Sequence, residues 1–241
     1  LWVATTDGVS RFDGTRFESI EALAGQMIST LFIDRRDRLW LGTNGDGILC
    51  YDGEKISCFT TFDPLLHNAI RTIIEDRTGY LWAATNKGIG RYDGKEWATF
   101  ATGDDLPDQE VRTLLEDQKG HLWAATDGGV CCYDGKEWST IPMEEGLPPD
   151  EVITILEDRE GRLWFGTDGG GVSCWDGQQI TSFGVEDGLC HDQITAILQD
   201  RDGCFWFGTF GGGVSRFDGT VFQTFTRKDG LINDVVHHLH Q

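Results

Sequence analysis

Three of the six histidines in this 241-residue chain lie within its last five positions, at His237, His238 and His240. On a strand, His238 and His240 would share a face about 6.8 Å apart, a separation that a zinc ion can bridge. The sequence offers no third ligand nearby, and His240 aligns with apolar residues elsewhere in the chain. We therefore expect no metal site or cofactor here and keep only His237 as a candidate ligand-binding residue.

Arg71 and Arg112 lie 41 positions apart, and each is the first residue of a similar segment, RTIIED and RTLLED. Two guanidinium groups at the mouth of one binding pocket would suit a carboxylate or sulfate ligand. Ion pairs at the surface or between repeats are the alternative interpretation.

A polar residue stands three positions before each of these arginines, and the equivalent positions elsewhere are also polar. The full set is Gln26, Asn68, Gln109, Asp150, Asp192 and Asp234. We expect these residues to form a hydrogen-bonding rim around the mouth of the pocket, in which Asn68 and the three aspartates are candidate ligand contacts. The aspartates could hold a cation with oxygen ligands, but a solvated rim is the favoured interpretation.

Phe210 interrupts another polar series, formed by Thr6, Asn44, Asn86, Asp127 and Asp168. An exposed ring there could stack on a sugar or an aromatic ligand, or it could pack under a neighbouring loop. His191 is the remaining candidate. An enzyme built on Arg71, Arg112, His191 and His237 would require a histidine within hydrogen-bond reach of a substrate proton.

These candidates recur because the sequence is repetitive. Trp2, Trp40, Trp82, Trp123, Trp164 and Trp206 each follow a leucine or phenylalanine, at intervals of 38, 42, 41, 41 and 42 residues. A fixed period of about 40 residues indicates a repeat architecture.

Each repeat predicts four short strands. In the fifth copy they are 152–157, 163–167, 171–175 and 180–183, separated by the turn sequences DREG, TDGGG and DG. Nothing in this unit has the period or length of a helix. Four strands per period of about 40 is the plan of a β-propeller blade.

We predict one all-β propeller domain of six four-stranded blades. The approximate blades are 235–241 with 1–20, 27–61, 69–100, 110–141, 151–184 and 193–226. The tail LINDVVHHLHQ predicts a first strand, which would close the ring against the blade that begins at Leu1-Trp2. A fragment of a seven-bladed propeller is the alternative, and the absence of an initial methionine favours a piece of a longer protein.

The residues that recur in every repeat are predicted to be structural. The tryptophans should pack between blades, and the Asp-Gly pairs should form turns. The pairs Glu75-Asp76, Glu116-Asp117 and Glu157-Asp158 resemble catalytic carboxylates, but their recurrence favours a turn motif.

The seven cysteines do not fit a disulfide framework. Cys50, Cys132 and Cys174 occupy one equivalent position in three different repeats, too far apart for the roughly 7 Å limit between bonded Cα atoms. An odd total without a Cys-x-x-Cys motif favours free thiols, which are typical of a reducing compartment.

Charge and hydropathy exclude some partners. Forty acidic and twenty basic residues give a net charge of −20, which disfavours nucleic acid and anionic membranes. No apolar run approaches the roughly 20 residues of a membrane span, and no signal peptide is evident.

Repeats such as ILEDREGRLWFGTDGGGVSCWDG and LLEDQKGHLWAATDGGVCCYDG resemble the two-component regulator propeller repeat. That family forms ligand-binding sensor domains of bacterial hybrid histidine kinases. The resemblance implies an extracytoplasmic location and downstream signalling domains, which this sequence does not contain. Within the chain, the loops between repeats vary most.

We therefore predict a non-catalytic ligand-binding or sensing module for a carbohydrate or a small anion, with its pocket at the mouth of the axis. A propeller-type polysaccharide lyase or hydrolase, and a protein-interaction scaffold, are the alternatives.

Overall fold

The computed structural model describes residues 1–60, 67–101, 106–140 and 151–240. Within these ranges the chain forms six antiparallel sheets, each made of consecutive strands. The contacts divide the chain into two compact units, Leu1–Leu114 and Leu115–Gln241.

The first unit contains three complete sheets. The first sheet has β1 (Trp2–Thr5), β2 (Gly8–Phe12) and β3 (Phe17–Ser19). The second has β4 (Ile28–Ile33), β5 (Leu39–Thr43), β6 (Ile48–Tyr51) and β7 (Ile56–Phe59). The third has β8 (Ile70–Glu75), β9 (Leu81–Thr85), β10 (Gly88–Tyr92) and β11 (Trp97–Phe100).

The boundary between the units falls within the first strand of the fourth sheet. This sheet has β12 (Val111–Glu116), β13 (Leu122–Thr126), β14 (Gly129–Tyr133) and β15 (Trp138–Thr140). The fifth has β16 (Val152–Glu157), β17 (Leu163–Thr167), β18 (Val172–Trp175) and β19 (Ile180–Phe183). The sixth has β20 (Ile194–Gln199), β21 (Phe205–Thr209), β22 (Val214–Phe217) and β23 (Phe222–Phe225).

The prediction of an all-β fold built from blade-like sheets is confirmed. In the described part of the chain the helical elements are three short 3₁₀ turns, Glu21–Leu23, Val185–Asp187 and Arg227–Asp229. The same residues contain no helix with the length and apolar character needed to cross a membrane.

Closure of the ring by the C-terminal segment stays a prediction. Val235 forms a bridge with Phe210, and the N–H of Val236 donates to the carbonyl of Thr209, as the start of a first strand should. Residues 236–240 are not assigned to a strand, and the sheet that begins at β1 has three strands among the described residues.

The hydrophobic core lies between neighbouring sheets. Trp164 is 2% exposed, and its ring lies 4.2 Å from that of Phe205 and 6.5 Å from that of Phe217, both in the next sheet. Trp123 belongs to a similar cluster with Val152 and Phe165. The predicted role of the repeated tryptophans in packing between blades is therefore confirmed.

The two ends of each sheet are chemically different. We call the end with the Asp-x-x-Gly and Asp-Gly turns the turn end, and the end with the TDGGG-type loops the loop end. At the turn end, the Asp13 carboxylate accepts hydrogen bonds from the Thr15 side chain and the Arg16 backbone, which lower the pKa of Asp13 to about 2. At the loop end, a side chain at Gly171 would place its Cβ 2.2 Å from the carbonyl of Phe183, so the last glycine of TDGGG allows a close backbone approach.

Candidate functional site

The position occupied by Arg71 is a β-bulge. In β8 and β9, Ile70 pairs with Thr85 and Thr72 pairs with Ala84, so Arg71 has no partner across the ladder. The equivalent bulge residues in other first strands are Ser29, Ile153 and Thr195. A bulge residue is left out of the regular pairing, which explains how side chains of such different size are accommodated there.

Two bulge residues have a structural role. Ser29 Oγ donates to the carbonyl of Ile70 at 2.6 Å and to that of Gly42 at 2.9 Å. Thr195 Oγ1 donates to the carbonyl of Val236 in the same way. Ser29 therefore connects β4 to the next first strand, β8, and Thr195 connects β20 to the C-terminal segment.

The two candidate arginines make different contacts. Arg71 is exposed, and its Nε donates to Asn86 Oδ1 at 2.8 Å. Arg112 is less exposed, and its Nη2 lies 3.8 Å from Glu110 Oε2. Each guanidinium therefore has a polar neighbour in its own repeat, and joint binding of an anion by both arginines stays a prediction.

The predicted polar rim makes backbone contacts. The carbonyl of Asn68 accepts from Gly45 and Gly47, and that of Asp234 accepts from Gly211 and Gly213. Loop-end glycines are thus held by the segment that precedes the next repeat.

The rim carboxylates make a second set of backbone bonds. Asp192 Oδ1 accepts from the N–H of Val185 at 2.9 Å, and Asp234 Oδ1 accepts from that of Arg227 at 2.7 Å. Asp150 lies outside the described residues. Among those described, no three histidine, cysteine or acidic side chains are grouped closely enough to hold a metal.

His191 stabilises the backbone of the segment before β20. Its Nδ1 accepts from the N–H of Gln193 at 2.9 Å, as Asn233 Oδ1 does from Val235 at 3.0 Å. A side chain added at Gly212 would place its Cβ 2.7 Å from the Cβ of His191. His191 is therefore a capping residue of the loop that connects two repeats.

Phe210 and the C-terminal histidines expose more of their surface. Phe210 is 49% exposed, so its ring is accessible at the loop end. His237, His238 and His240 are also exposed. The exposure of His240 differs from the apolar core position predicted by the alignment.

A bond between aspartate and tryptophan is the main feature that the sequence patterns did not reveal. Trp164 Nε1 donates to Asp158 Oδ2 at 2.8 Å, and Asp158 Oδ1 accepts from the backbone of Glu160 and Arg162. The same bond joins Asp34 to Trp40, Asp76 to Trp82, Asp117 to Trp123 and Asp200 to Trp206. The constant six-residue spacing within these pairs was the available signal, since a buried indole N–H requires an acceptor.

Hydrogen bonds lower the pKa of four of the carboxylates that bind a tryptophan, namely Asp34, Asp76, Asp117 and Asp200. Burial by itself would raise the pKa of Asp34, but hydrogen bonds from Trp40 and the backbone outweigh it and lower the pKa below its usual range. The same balance lowers the pKa of Asp76 and Asp117. For Asp200, the bond from Trp206 is the largest cause of a lowered pKa.

The glutamates of two Glu-Asp pairs connect neighbouring repeats. Glu75 Oε2 accepts from the N–H of Arg35, and Glu157 Oε2 accepts from that of Gln118, both at 2.8 Å. The Glu-Asp pairs therefore form structural contacts, as their recurrence indicated.

None of the seven cysteines, all of which are among the described residues, forms a disulfide bond. Burial raises the pKa of Cys50 to about 11 and that of Cys132 to about 12, so these thiols are protonated near neutral pH. Their low thiolate content makes them poor nucleophiles.

The described residues also line clefts between neighbouring sheets near the turn end. One, of about 290 Å³, is lined by residues that include Arg162, Trp164 and Phe217. Another, of about 360 Å³, is lined by residues that include His121, Trp123 and Trp175. Neither cleft contains the candidate residues of the loop end.

The two component regulator propeller family matches five segments of the chain, 22–45, 64–87, 105–128, 146–169 and 188–211. A comparison with curated proteins found no match.

Several solved structures share the fold at low sequence identity. The extracellular domain of a hybrid two component system from B. thetaiotaomicron aligns with a TM-score of 0.60 and 20% identity, over 99% of this chain and 40% of that one. Virginiamycin B lyase from Staphylococcus aureus, solved with quinupristin, gives a TM-score of 0.73 and 16% identity, over 93% and 79% of the two chains. PorZ, a surface component of the type-IX secretion system of Porphyromonas gingivalis, gives 0.72 and 18%, over 100% and 41%. This chain therefore has a propeller fold and spans about two fifths of the first of these structures.

Proposed function

Since the chain belongs to the two component regulator propeller family, we propose that it is a non-catalytic ligand-binding module whose ligand is an anionic carbohydrate or a small anion. The binding surface would lie at the loop end of the first unit, with Arg71 and Arg112 as contacts; in the second unit, Phe210 and His237 are separate candidate contacts. The signal would be transmitted by segments of a longer protein.

The main support is the difference between the residues that occupy the bulge position. Ser29 and Thr195 contribute hydroxyl groups to the backbone there, whereas Arg71 presents an exposed guanidinium. In a chain with a net charge of −20, such a group is a local site for a carboxylate or sulfate. In the second unit, the accessible ring of Phe210 is a separate surface on which a sugar could stack.

Two rim residues contribute less to this surface than the sequence predicted. Asp192 and Asp234 each direct one carboxylate oxygen to a backbone N–H. His191 likewise uses the lone pair of Nδ1 to cap Gln193, which in the neutral imidazole leaves the proton on Nε2 and no nitrogen available as a general base. These contacts favour binding over catalysis.

The test is a calorimetric and thermal-shift screen with three oligosaccharide classes: neutral, uronic acid-containing and sulfated. We expect an anionic class to bind and Arg71→Ala to weaken that binding about tenfold or more, since a charge-assisted hydrogen bond is lost. The stability of Arg71→Ala should stay within about 0.5 kcal/mol of the parent. Arg16→Ala, a matched change of an exposed arginine at the turn end, should bind normally.

The possible results separate the alternatives. Equal weakening by Arg71→Ala and Arg16→Ala would indicate a nonspecific charge effect and contradict the proposed surface. Formation of a product would support a lyase or hydrolase. Absence of binding for all three classes would contradict the carbohydrate assignment.

A further inference from the structure

An arginine lies over the repeated tryptophan in five of the six repeats. The distances from the guanidinium carbon to the ring centroid are 5.6 Å for Arg11 and Trp2, 5.0 Å for Arg38 and Trp40, 5.5 Å for Arg91 and Trp82, 5.8 Å for Arg162 and Trp164, and 5.8 Å for Arg216 and Trp206. All fall within the roughly 6 Å range of a cation–π contact.

The arginine comes from one of two positions. Arg38 and Arg162 stand two residues before the tryptophan, and the Nε of each donates at 2.7 Å to the aspartate that binds the same indole. Arg91 and Arg216 instead come from the third strand, directly opposite Trp82 and Trp206. Where one position carries the arginine, the other carries a different residue, such as Cys50 opposite Trp40 or Tyr80 before Trp82.

The fourth repeat has an arginine at neither position. The residue two before Trp123 is His121, and the residue opposite Trp123 is Cys132. Over the described part of the chain, no lysine or arginine makes a cation–π contact with Trp123.

A cleft of about 360 Å³ lies at this place, and it differs from the equivalent cleft of the fifth repeat, of about 290 Å³, in having no arginine among the described residues of its wall where that one has Arg162. Its walls include Trp123, the half-buried Trp175 of the next repeat, His121, Cys132 and Asp176. The two indole rings are 5.3 Å apart and nearly perpendicular, at 64°. The same near-perpendicular contact joins Trp164 to Phe217 in a repeat where Arg162 lies over Trp164, so this packing is compatible with a guanidinium on the tryptophan face.

The charges around the cleft favour a cation. Asp117, only 5% exposed, lies behind Trp123, and the exposed Asp176 stands at the neighbouring turn. His121 Nδ1 lies 3.0 Å from Asp117 Oδ2, so the imidazole already uses part of that carboxylate. Lys119 is the opposing charge at the cleft.

We propose that this cleft binds a guanidinium group from outside the chain, presented by an arginine side chain of a peptide or protein partner. The internal arginines are the template for the ligand, because each lies over the repeated tryptophan, and four of the five do so beside an Asp–Trp pair. The site lies near the turn end and does not depend on the loop-end residues of the proposed function.

The test uses N-acetyl-L-arginine amide as the probe, with its neutral citrulline analogue and the corresponding lysine amide as ligand controls. We expect binding in the millimolar range, as suits a single anchored side chain, with arginine bound at least about tenfold more tightly than citrulline. Binding is measured by NMR titration of the tryptophan indole N–H signals.

Two variants supply the missing internal arginine. Cys132→Arg imitates Arg91 and Arg216, and His121→Arg imitates Arg38 and Arg162. Each should reduce probe affinity at least about tenfold and raise the melting temperature, which excludes loss of folding as the cause. Thr99→Arg, which adds the same charge on an exposed strand of the other unit, should bind the probe like the parent.

Two results would contradict the proposed site. One is that both arginine variants bind the probe as tightly as the parent protein. The other is that the parent shows no binding at a probe concentration 50-fold above the expected Kd of about 1 mM. Equal affinity for arginine and citrulline would overturn the guanidinium assignment. Preference for the lysine amide would overturn it in favour of an ammonium group.

Discussion

The turn end and the loop end of the sheets follow opposite rules. At the turn end the same bonds recur from repeat to repeat, and Asp34, Asp117 and Asp158 each bind an indole, backbone N–H groups and a basic side chain. At the loop end the equivalent bulge residues differ: Ser29 binds a backbone carbonyl, whereas Arg71 binds the side chain of Asn86. Repetition therefore identifies residues that hold the fold, and divergence at a position left out of the ladder identifies residues available for recognition.

The fourth repeat gives the same lesson within the turn end. Its Asp117–Trp123 bond is retained, but the arginine found over the other repeated tryptophans is replaced by His121 and Cys132. A departure from a repeated contact is therefore informative even in the structural part of the molecule.

The largest effect on stability is expected from Asp158→Ala. Asp158 is 1% exposed, and its removal leaves the indole N–H of Trp164 and two backbone N–H groups without their acceptor. We expect a loss of about 3 to 5 kcal/mol in the free energy of unfolding, measured by urea denaturation. Asp176→Ala, in an exposed Asp-Gly turn, is the control and should lose much less; equal losses would contradict the distinction between the buried aspartate and an ordinary turn residue.

A second effect is expected on lowering the pH. The pKa values of Asp34, Asp76, Asp117 and Asp200 are lower in the folded chain, so their stabilising contribution is present above the unfolded value of about 3.9 and is lost as the pH falls below it. The free energy of unfolding should therefore fall between about pH 4 and pH 2. Asp34→Asn should be less stable at pH 7 and show a shallower decline, and an unchanged pH profile for this variant would contradict the assignment.

A smaller effect is expected at the loop end from Thr195→Val. The substitution removes the hydroxyl that donates to the carbonyl of Val236 but keeps the branched shape. The loss should be about 1 kcal/mol, the usual value of one hydrogen bond, by the same urea measurement. Thr181→Val, at an exposed position of β19, should change stability by no more than about 0.5 kcal/mol; a similar change at Thr195 would show that the bulge hydroxyl does not connect β20 to the C-terminal segment.

Local chemistry explains why much of the fold was predictable. The Leu-Trp strand, the Asp-x-x-Gly turn and the Asp-Gly turn depend on residues that are close in sequence, so the periodic pattern was sufficient to predict six blade-like sheets. The glycine-rich loop was also recognised as a connection between strands, although the close approach of Gly171 to Phe183 depends on tertiary structure.

The chemistry of the candidate site was less predictable because it depends on pairing. Aligned repeats show that Arg71, Ser29 and Thr195 are equivalent, but only the register with the neighbouring strand shows that they are bulge residues. In the same way, His191 resembles a catalytic residue in sequence, and only its contact with the N–H of Gln193 shows a capping role.

The bonds between repeats run in one direction along the chain. The residue after the aspartate donates to the glutamate or glutamine of the following repeat, as Arg35 does to Glu75 and Arg159 to Gln199. A repeat unit therefore carries a donor for its successor and an acceptor for its predecessor, in a head-to-tail arrangement. Duplication of one unit within the gene would supply both halves of each new contact at once, so copy number can change during evolution without the invention of any new interface.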